Sequence, residues 1–158
     1  MRIRAAVEDD LTAIAEVGHR TWPPTYEPLA GKEYVADGLA RWWSGELLRQ
    51  ALERTFVAED ATGEIVGMTS FGPVEDVLVV WKLYVVPEAQ GSGAGTALLR
   101  KVIDTADEQH RAVRLAYIAG NDRAAKFYAH HGFSFLRLES HANGGPDSVW
   151  LERAVSGR

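Results

Sequence analysis

The chain has 158 residues, 46% hydrophobic and 25% charged, enough for one globular core and unlike a disordered or fibrous composition. It contains no cysteine, which excludes disulfides, thiolate zinc sites and cysteine nucleophiles together. The net charge of -5 argues against nucleic acid as a partner, no window is long and apolar enough to span a membrane, and MRIRAAVEDD lacks the apolar core of a signal peptide, so a cytoplasmic protein is expected.

RIRAA, residues 2–6, reads as a short strand. Glu8, Asp9 and Asp10 suit the first turn of a helix, where the dipole favours anions, and Leu11, Ile14, Ala15 and Gly18 follow at helical spacing. Pro23, Pro24 and Pro28 break that helix and predict a loop, TWPPTYEPLAG. A second helical stretch covers roughly Lys32 to Leu52. RTFVAED and EIVGMTSFG, joined at ATG, form a hairpin. DVLVVWKLYVV is a long apolar strand that ends at Pro87, the pattern of a central strand buried on both faces. GTALLRKVIDTADEQH carries an apolar stripe of Leu98, Leu99, Val102, Ile103 and Ala106. AVRLAYIA is a further strand. Asn121 or Asp122 caps the helix RAAKFYAHH, and Gly132 ends it. FSFLRLE and DSVWLERAV close the chain as a hairpin around HANGGP. The order β–α–α–β–β–β–α–β–α–β–β has one strand–helix–strand crossover in an otherwise antiparallel run. That predicts an α/β fold with a mixed sheet and helices on its faces, in one domain over residues 1–158.

The stretch PEAQGSGAGTALL, residues 87–99, sets Gly91, Gly93 and Gly95 in five positions before a helix. Such turns hold anions, because successive N–H groups point inward and no Cβ keeps the ligand away. The Walker template needs a lysine that residues 91–96 lack. The dinucleotide template fails in both registers, at Thr96 and at Leu98. The remaining pattern, Gln90-x-x-Gly93-x-Gly95 between a strand and a helix, suits a metal-free diphosphate cradle.

This loop and a second segment resemble the GNAT superfamily of N-acetyltransferases, and the resemblance covers nearly the whole chain. IRAAVEDDLTAIAEV is similar to the family's first strand and helix, and VVWKLYVVPEAQGSGAGTALL to its fourth strand, pyrophosphate loop and third helix. In NDRAAKFYAHHGF, residues Asn121, Ala124, Phe127, Tyr128, Gly132 and Phe133 fill the family's Asn-x-x-Ala-x-x-Phe-Tyr-x-x-x-Gly-Phe. The resemblance implies about seven strands, helices on both faces, and a splay between the fourth and fifth strands. It implies acetyl-CoA as co-substrate, no metal, and transfer to a primary amine. Gln90, Gly91, Ser92, Gly93, Ala94, Gly95 and Thr96 would then hold the pyrophosphate, with Val85, Val86 and Asn121 on the pantetheine amides. Backbone N–H groups of Tyr84, Val85 and Val86 would face the thioester oxygen, such donors being worth about 3 kcal/mol each. Tyr128 would protonate the departing thiolate; seven residues after Asn121, it shares nearly one helix face with it, about 10 Å along the axis.

One departure stands out. The family's glutamate near the middle of the fourth strand is Val79 here. Glu75 or Asp76 acting through water, Glu33 or Glu27 from the early helices, or a water chain alone are the alternatives for the base. With no cysteine and no serine in a nucleophile context, transfer is direct. The region before the hairpin corresponds to the family's acceptor side, where Trp22, Tyr26 and Tyr34 are candidates to hold a cation against their rings or simply to pack the loop. Residues 1–80 hold 7 basic and 14 acidic side chains, residues 81–158 hold 10 and 8, so the expected acceptor is a small cationic amine. A peptide or protein N-terminus is the second acceptor class, a non-catalytic acyl-CoA-binding module the other reading, and a homodimer is compatible with the resemblance.

Overall fold

Apolar periodicities of two and 3.6 alternate along the chain, and each yields the element it favours. The computed structural model describes residues 1–142 and 144–155. Asn143, inside the expected HANGGP turn, and the last three residues of the expected 1–158 domain lie outside the described residues. In chain order the elements are β1 (Arg2–Ala5), α1 (Leu11–Ala30), α2 (Lys32–Trp42), α3 (Gly45–Gln50), β2 (Thr55–Glu59), β3 (Ile65–Val74), β4 (Val77–Val85), α4 (Ala94–Glu108), β5 (Val113–Ile118), α5 (Asp122–His130), β6 (Ser134–Glu139) and β7 (Ser148–Arg153).

The strands form one mixed sheet in the order β1-β2-β3-β4-β5-β7-β6. Every neighbouring pair is antiparallel except β4 and β5, which α4 connects as a parallel crossover. The expected α/β architecture is therefore the one found, with the closing hairpin inserted so that β7, not β6, lies against β5.

Helices cover both faces. Tyr84 and Met68 are cross-strand partners, and Tyr84 packs on Trp22, Tyr26 and Trp43, so α1 and the segment after it cover that face. Gly67 and Val85, one residue along each strand, approach Leu98, so α4 covers the other. The α4 stripe is buried as its spacing requires: Leu98, Leu99, Val102, Ile103 and Ala106 are at most 1% exposed. Each large aliphatic so buried contributes about 1.5–3 kcal/mol.

Two expectations for the helical region are overturned. Pro23, Pro24 and Pro28 do not break α1, which continues through all three to Ala30. The prolines remove the N–H donors that His19, Arg20 and Pro24 would receive, so the helix survives on tertiary contact rather than on propensity. Thr21, Trp22 and Tyr26 are buried on this segment, and Trp22 meets Tyr26 edge-on with 4.8 Å between centroids. Gly38 of α2 admits the Trp22 indole so closely that a Cβ there would lie 2.0 Å from it. The single helical stretch expected from Lys32 to Leu52 is two helices. Trp43 leaves helical geometry, and Ser44 starts α3 by accepting the Leu47 N–H through Oγ at 3.2 Å.

At the N-terminus, Asp10 is 7% exposed and tied to Arg4 by two hydrogen bonds of 2.7 and 2.9 Å, while Arg4 Nε donates to Glu59 at 2.8 Å. This bidentate pair locks the start of α1 to β1 and β2 and holds the Asp10 carboxyl below its usual range. No helix among the described residues is long and apolar enough to cross a membrane.

Candidate functional site

The site begins where β4 loses a neighbour. β4 and β5 pair only at Leu78↔Val113 and Val79↔Arg114; the rest of β4 has no partner on that side. The register against β3 also slips there: Ser70 opposes Lys82 and Phe71 opposes Val80, which leaves Trp81 as an extra, bulged residue. A cleft of about 800 Å3 opens between the separated strands. Its floor is the Val80–Val85 backbone, one wall is the glycine loop, and the other is the α5 face with Asn121, Phe127 and Tyr128.

Strand alternation decides which backbone groups face this cleft. The Val86 N–H donates to Val66 C=O at 2.9 Å, and Tyr84 pairs with Met68. Both therefore direct their N–H groups at β3, and Leu83 and Val85 direct theirs into the splay. Of the three expected backbone donors only Val85 is on the open side. Val86 is in addition 1% exposed, so neither its backbone donor nor its side chain is available. The Val85 C=O accepts from Gln90 Nε2 at 3.1 Å, which ties the loop to the strand edge.

Left-handed glycines shape the loop. Gly91 and Gly93 have φ of 86° and 94°, a region closed to side chains at modest cost, and a Cβ at either would meet nothing within 4 Å. Gly93 caps α4, its C=O accepting from Ala97 at 3.0 Å. The Ala94 N–H reaches Ser92 Oγ at 3.4 Å, whereas those of Gly95 and Thr96 have no protein acceptor among the described residues. Gln90, Gly91, Gly93, Gly95 and Thr96 line the cleft; Ser92 does not, and Ala94 is buried at 1%. These free donors at a helix start fit a diphosphate without further help. An ion pair from Glu88 to Arg20 joins the loop to α1.

Asn121 caps α5, accepting the Ala124 N–H through Oδ1 at 3.2 Å, and Tyr128 lines the same cleft two turns later. Burial raises the Tyr128 phenol well above its ordinary pKa, so it is protonated at neutral pH. Tyr84 Oη and Tyr26 Oη lie 3.0 Å apart beside it. Desolvation pushes Tyr26 up to about 12 and raises Tyr84 well above its ordinary value.

A second cavity of about 510 Å3 lies on the α1–α3 face and shares Trp81, Lys82 and Tyr84 with the first. Of the expected acceptor-side residues, Tyr26 lines the larger cavity and Trp22 the smaller. Tyr34 lines neither and stacks on Trp22 at 6.0 Å. Glu75 and Asp76 form the β3–β4 turn, at the opposite end of β4 from the splay, where the Glu75 C=O accepts from Arg111 at 3.1 Å. That placement removes them as acceptor or base groups. Val79 is 5% exposed and forms the last β4–β5 pair. No Asp, Glu or His is among the residues lining either cavity, so the acidic excess of the N-terminal half is a property of the surface. His141 contacts Ser148 at 3.0 Å and lines neither cavity.

Reading the sequence alone overlooked Lys82, Arg54 and Trp81. The signal for Lys82 was present: a lone charge inside the apolar run VVWKLYVV. Arg54 ends a 3-10 turn before β2, and nothing local sets it apart.

Comparison with known proteins identifies the family. An uncharacterised N-acetyltransferase of Mycobacterium tuberculosis is 34% identical over 143 residues, 84% of this chain and 91% of that protein. YuaI, an uncharacterised N-acetyltransferase of Bacillus subtilis, is 30% identical over 63% of this chain, and the match spans 60% of YuaI. A Salmonella typhimurium L-methionine sulfoximine/L-methionine sulfone acetyltransferase is 29% identical over 85% of this chain and 80% of its own length. Among solved structures, PaiA N-acetyltransferase of Thermoplasma acidophilum, in complex with coenzyme A, superposes with a TM-score of 0.85 at 20% identity, over 97% of this chain and 98% of that one. The model of the acetyltransferase (GNAT) family matches residues 12–133. The chain belongs to that family, as an acetyl-CoA-dependent N-acetyltransferase.

Proposed function

We propose that residues 1–158 act as one catalytic unit that acetylates a small primary amine by direct transfer, with Tyr128 as the general acid. The observation that carries this reading is convergence: the open Val85 N–H, the glycine loop and Tyr128 all line one cleft at the splay. The free donors of Gly95 and Thr96 suit the cofactor's diphosphate, and the unpaired edge of β4 suits an arm that binds as an added strand. In the reaction the amine nitrogen bonds to the acetyl carbon, the carbon–sulfur bond breaks, the nitrogen gives up one proton, and the sulfur takes one.

This chain's residues have three tasks. Val85 N–H stabilises the oxygen that gains negative charge. Tyr128, fully protonated in its desolvated setting, supplies the proton to sulfur. No carboxylate or imidazole lines the cleft, so the amine's proton leaves through water. The relative from Salmonella, named for L-methionine sulfoximine and L-methionine sulfone, favours a small-molecule acceptor over a protein N-terminus.

The test is CoA release from acetyl-CoA across a panel of amines, wild type against Tyr128→Phe. A fall of about 100-fold in kcat, with CoA affinity and Tm kept, is expected. Unchanged turnover sinks the acid role. Tight CoA binding without turnover on any amine turns the reading to a binding module.

A further inference from the structure

The smaller cavity has a chemistry that the proposed reaction does not use. Its walls are apolar and aromatic, with Trp22, Trp42, Leu47 and Trp81 among them, yet it contains two cations and no acid. Lys82 rises from β4 into it and stands with Nζ 5.2 Å from the centre of the Trp43 ring. No carboxylate pairs with it among the described residues, which is unusual for a half-buried lysine. Arg54 also forms no ion pair there.

A third donor joins them. A Cβ on Gly72 would lie 3.2 Å from Arg54 Nε and 3.3 Å from Trp81 Nε1, so the guanidinium and the indole N–H converge on one small space that glycine keeps open. The bulge at Trp81 turns that indole to this position. Three N–H-bearing groups, two of them charged, thus line one largely apolar cavity whose lining holds nothing of opposite charge.

We propose that Lys82, with Arg54 and Trp81 beside it, is the subsite for a carboxylate carried by the acceptor, and that the acceptor is a free α-amino acid with an apolar side chain. The inference rests on the acetyltransferase reading. Position gives the spacing. Lys82 lines both cavities and so stands at their junction, where the amine must reach the acetyl group. A carboxylate held there lies beside the reaction cleft, and an α-amino acid is the acceptor that sets its carboxylate next to its nitrogen. Electrostatics gives the sign. Desolvation has already lowered the Lys82 pKa to about 8, and a purely cationic acceptor would meet the same penalty plus repulsion from Lys82 and Arg54. The cationic amine expected from the sequence is thereby narrowed to the ammonium of a zwitterion. The lysine's charge also favours loss of the ammonium proton, a need that no carboxylate in the site serves.

The experiment compares kcat/KM for L-phenylalanine, phenethylamine, L-phenylalaninamide and the dipeptide Phe-Gly, in wild type, Lys82→Met and Lys82→Arg. At least a tenfold preference for L-phenylalanine over each of the other three is expected. Lys82→Met should bring the ratio near one, and Lys82→Arg should restore most of it. Acetylation of all four at similar rates overturns the carboxylate subsite and leaves the acetyltransferase standing. A preference for Phe-Gly points to peptide acceptors and overturns it too. If CoA binds and no panel member is acetylated, the second readout is the Tm of the CoA complex with 10 mM L-phenylalanine, a concentration of order typical weak binding. A shift lost in Lys82→Met supports the subsite, and no shift overturns it. Absence of CoA binding brings down the acetyltransferase reading itself.

Discussion

β4 behaves as two strands laid end to end. From Val77 to Val80 it is buried and anchored between β3 and β5. From Trp81 to Val85 it keeps β3, loses β5 and is at least partly exposed throughout. The same extended backbone thus serves the core in one half and the reaction in the other. What separates them is a missing set of ladder bonds and one bulged residue. Backbone donors must be satisfied somewhere, so a strand edge held open inside a rigid sheet is a binding site with its geometry already fixed.

That division predicts a double dissociation, and the closed half should give the largest effect. Leu78 is 2% exposed and stands where β3, β4 and β5 are all joined. Leu78→Ala removes packing without touching the cleft and should destabilise the fold by about 2–5 kcal/mol. Urea unfolding measures this, and CoA affinity of the folded fraction should stay within twofold. A large change in affinity with little change in stability would dissolve the distinction between the halves.

In the open half a smaller substitution should do the reverse. Gly93 needs its left-handed φ of 94° to start α4, and alanine there costs about 1–2 kcal/mol locally. Gly93→Ala should weaken CoA binding ten- to thirtyfold by calorimetry while Tm falls by only a few degrees. A loop that tolerates alanine with unchanged affinity is not the diphosphate cradle.

The two halves also differ in how far they were legible in sequence. The closed half follows from hydrophobic pattern, as do the hairpins, the α4 stripe and the Asn121 cap. The glycine loop was legible because φ above zero leaves a residue-type signature. The continuity of α1 was not, since prolines argue locally for a break and only the buried Trp22 and Tyr26 hold the helix together. The bulge was equally hidden: Trp81 is one of several apolar residues in the run, and only the register against β3 singles it out. That slip decides the facing of Lys82 and Leu83, and alternation beyond it turns the Tyr84 and Val86 donors to β3, so that of the three expected donors Val85 alone faces the splay.

The smallest expected effect is the most diagnostic of the open half, because two readouts move in opposite directions over one pH window. Lys82 has a folded pKa of about 8 against 10.5 for a free lysine. Between those values the unfolded chain binds more protons than the folded one, so stability rises as pH climbs from about 8. Above pH 10 burial of Tyr26, pushed up to about 12, reverses the slope, since the unfolded tyrosine ionises first. The groups facing Lys82 are Tyr84 on its own strand, Tyr26 on α1, Trp43 after α2 and Arg54 before β2, and burial raises both phenols above their ordinary range. The rise in Tm over that interval is therefore assigned to Lys82 and should disappear in Lys82→Met. The preference for L-phenylalanine over phenethylamine, corrected for the unprotonated fraction of each amine, should fall about three- to tenfold over the same interval as the lysine loses its charge. A bound carboxylate holds the proton on Lys82, so this loss should begin at higher pH when the acceptor is saturating than when it is dilute.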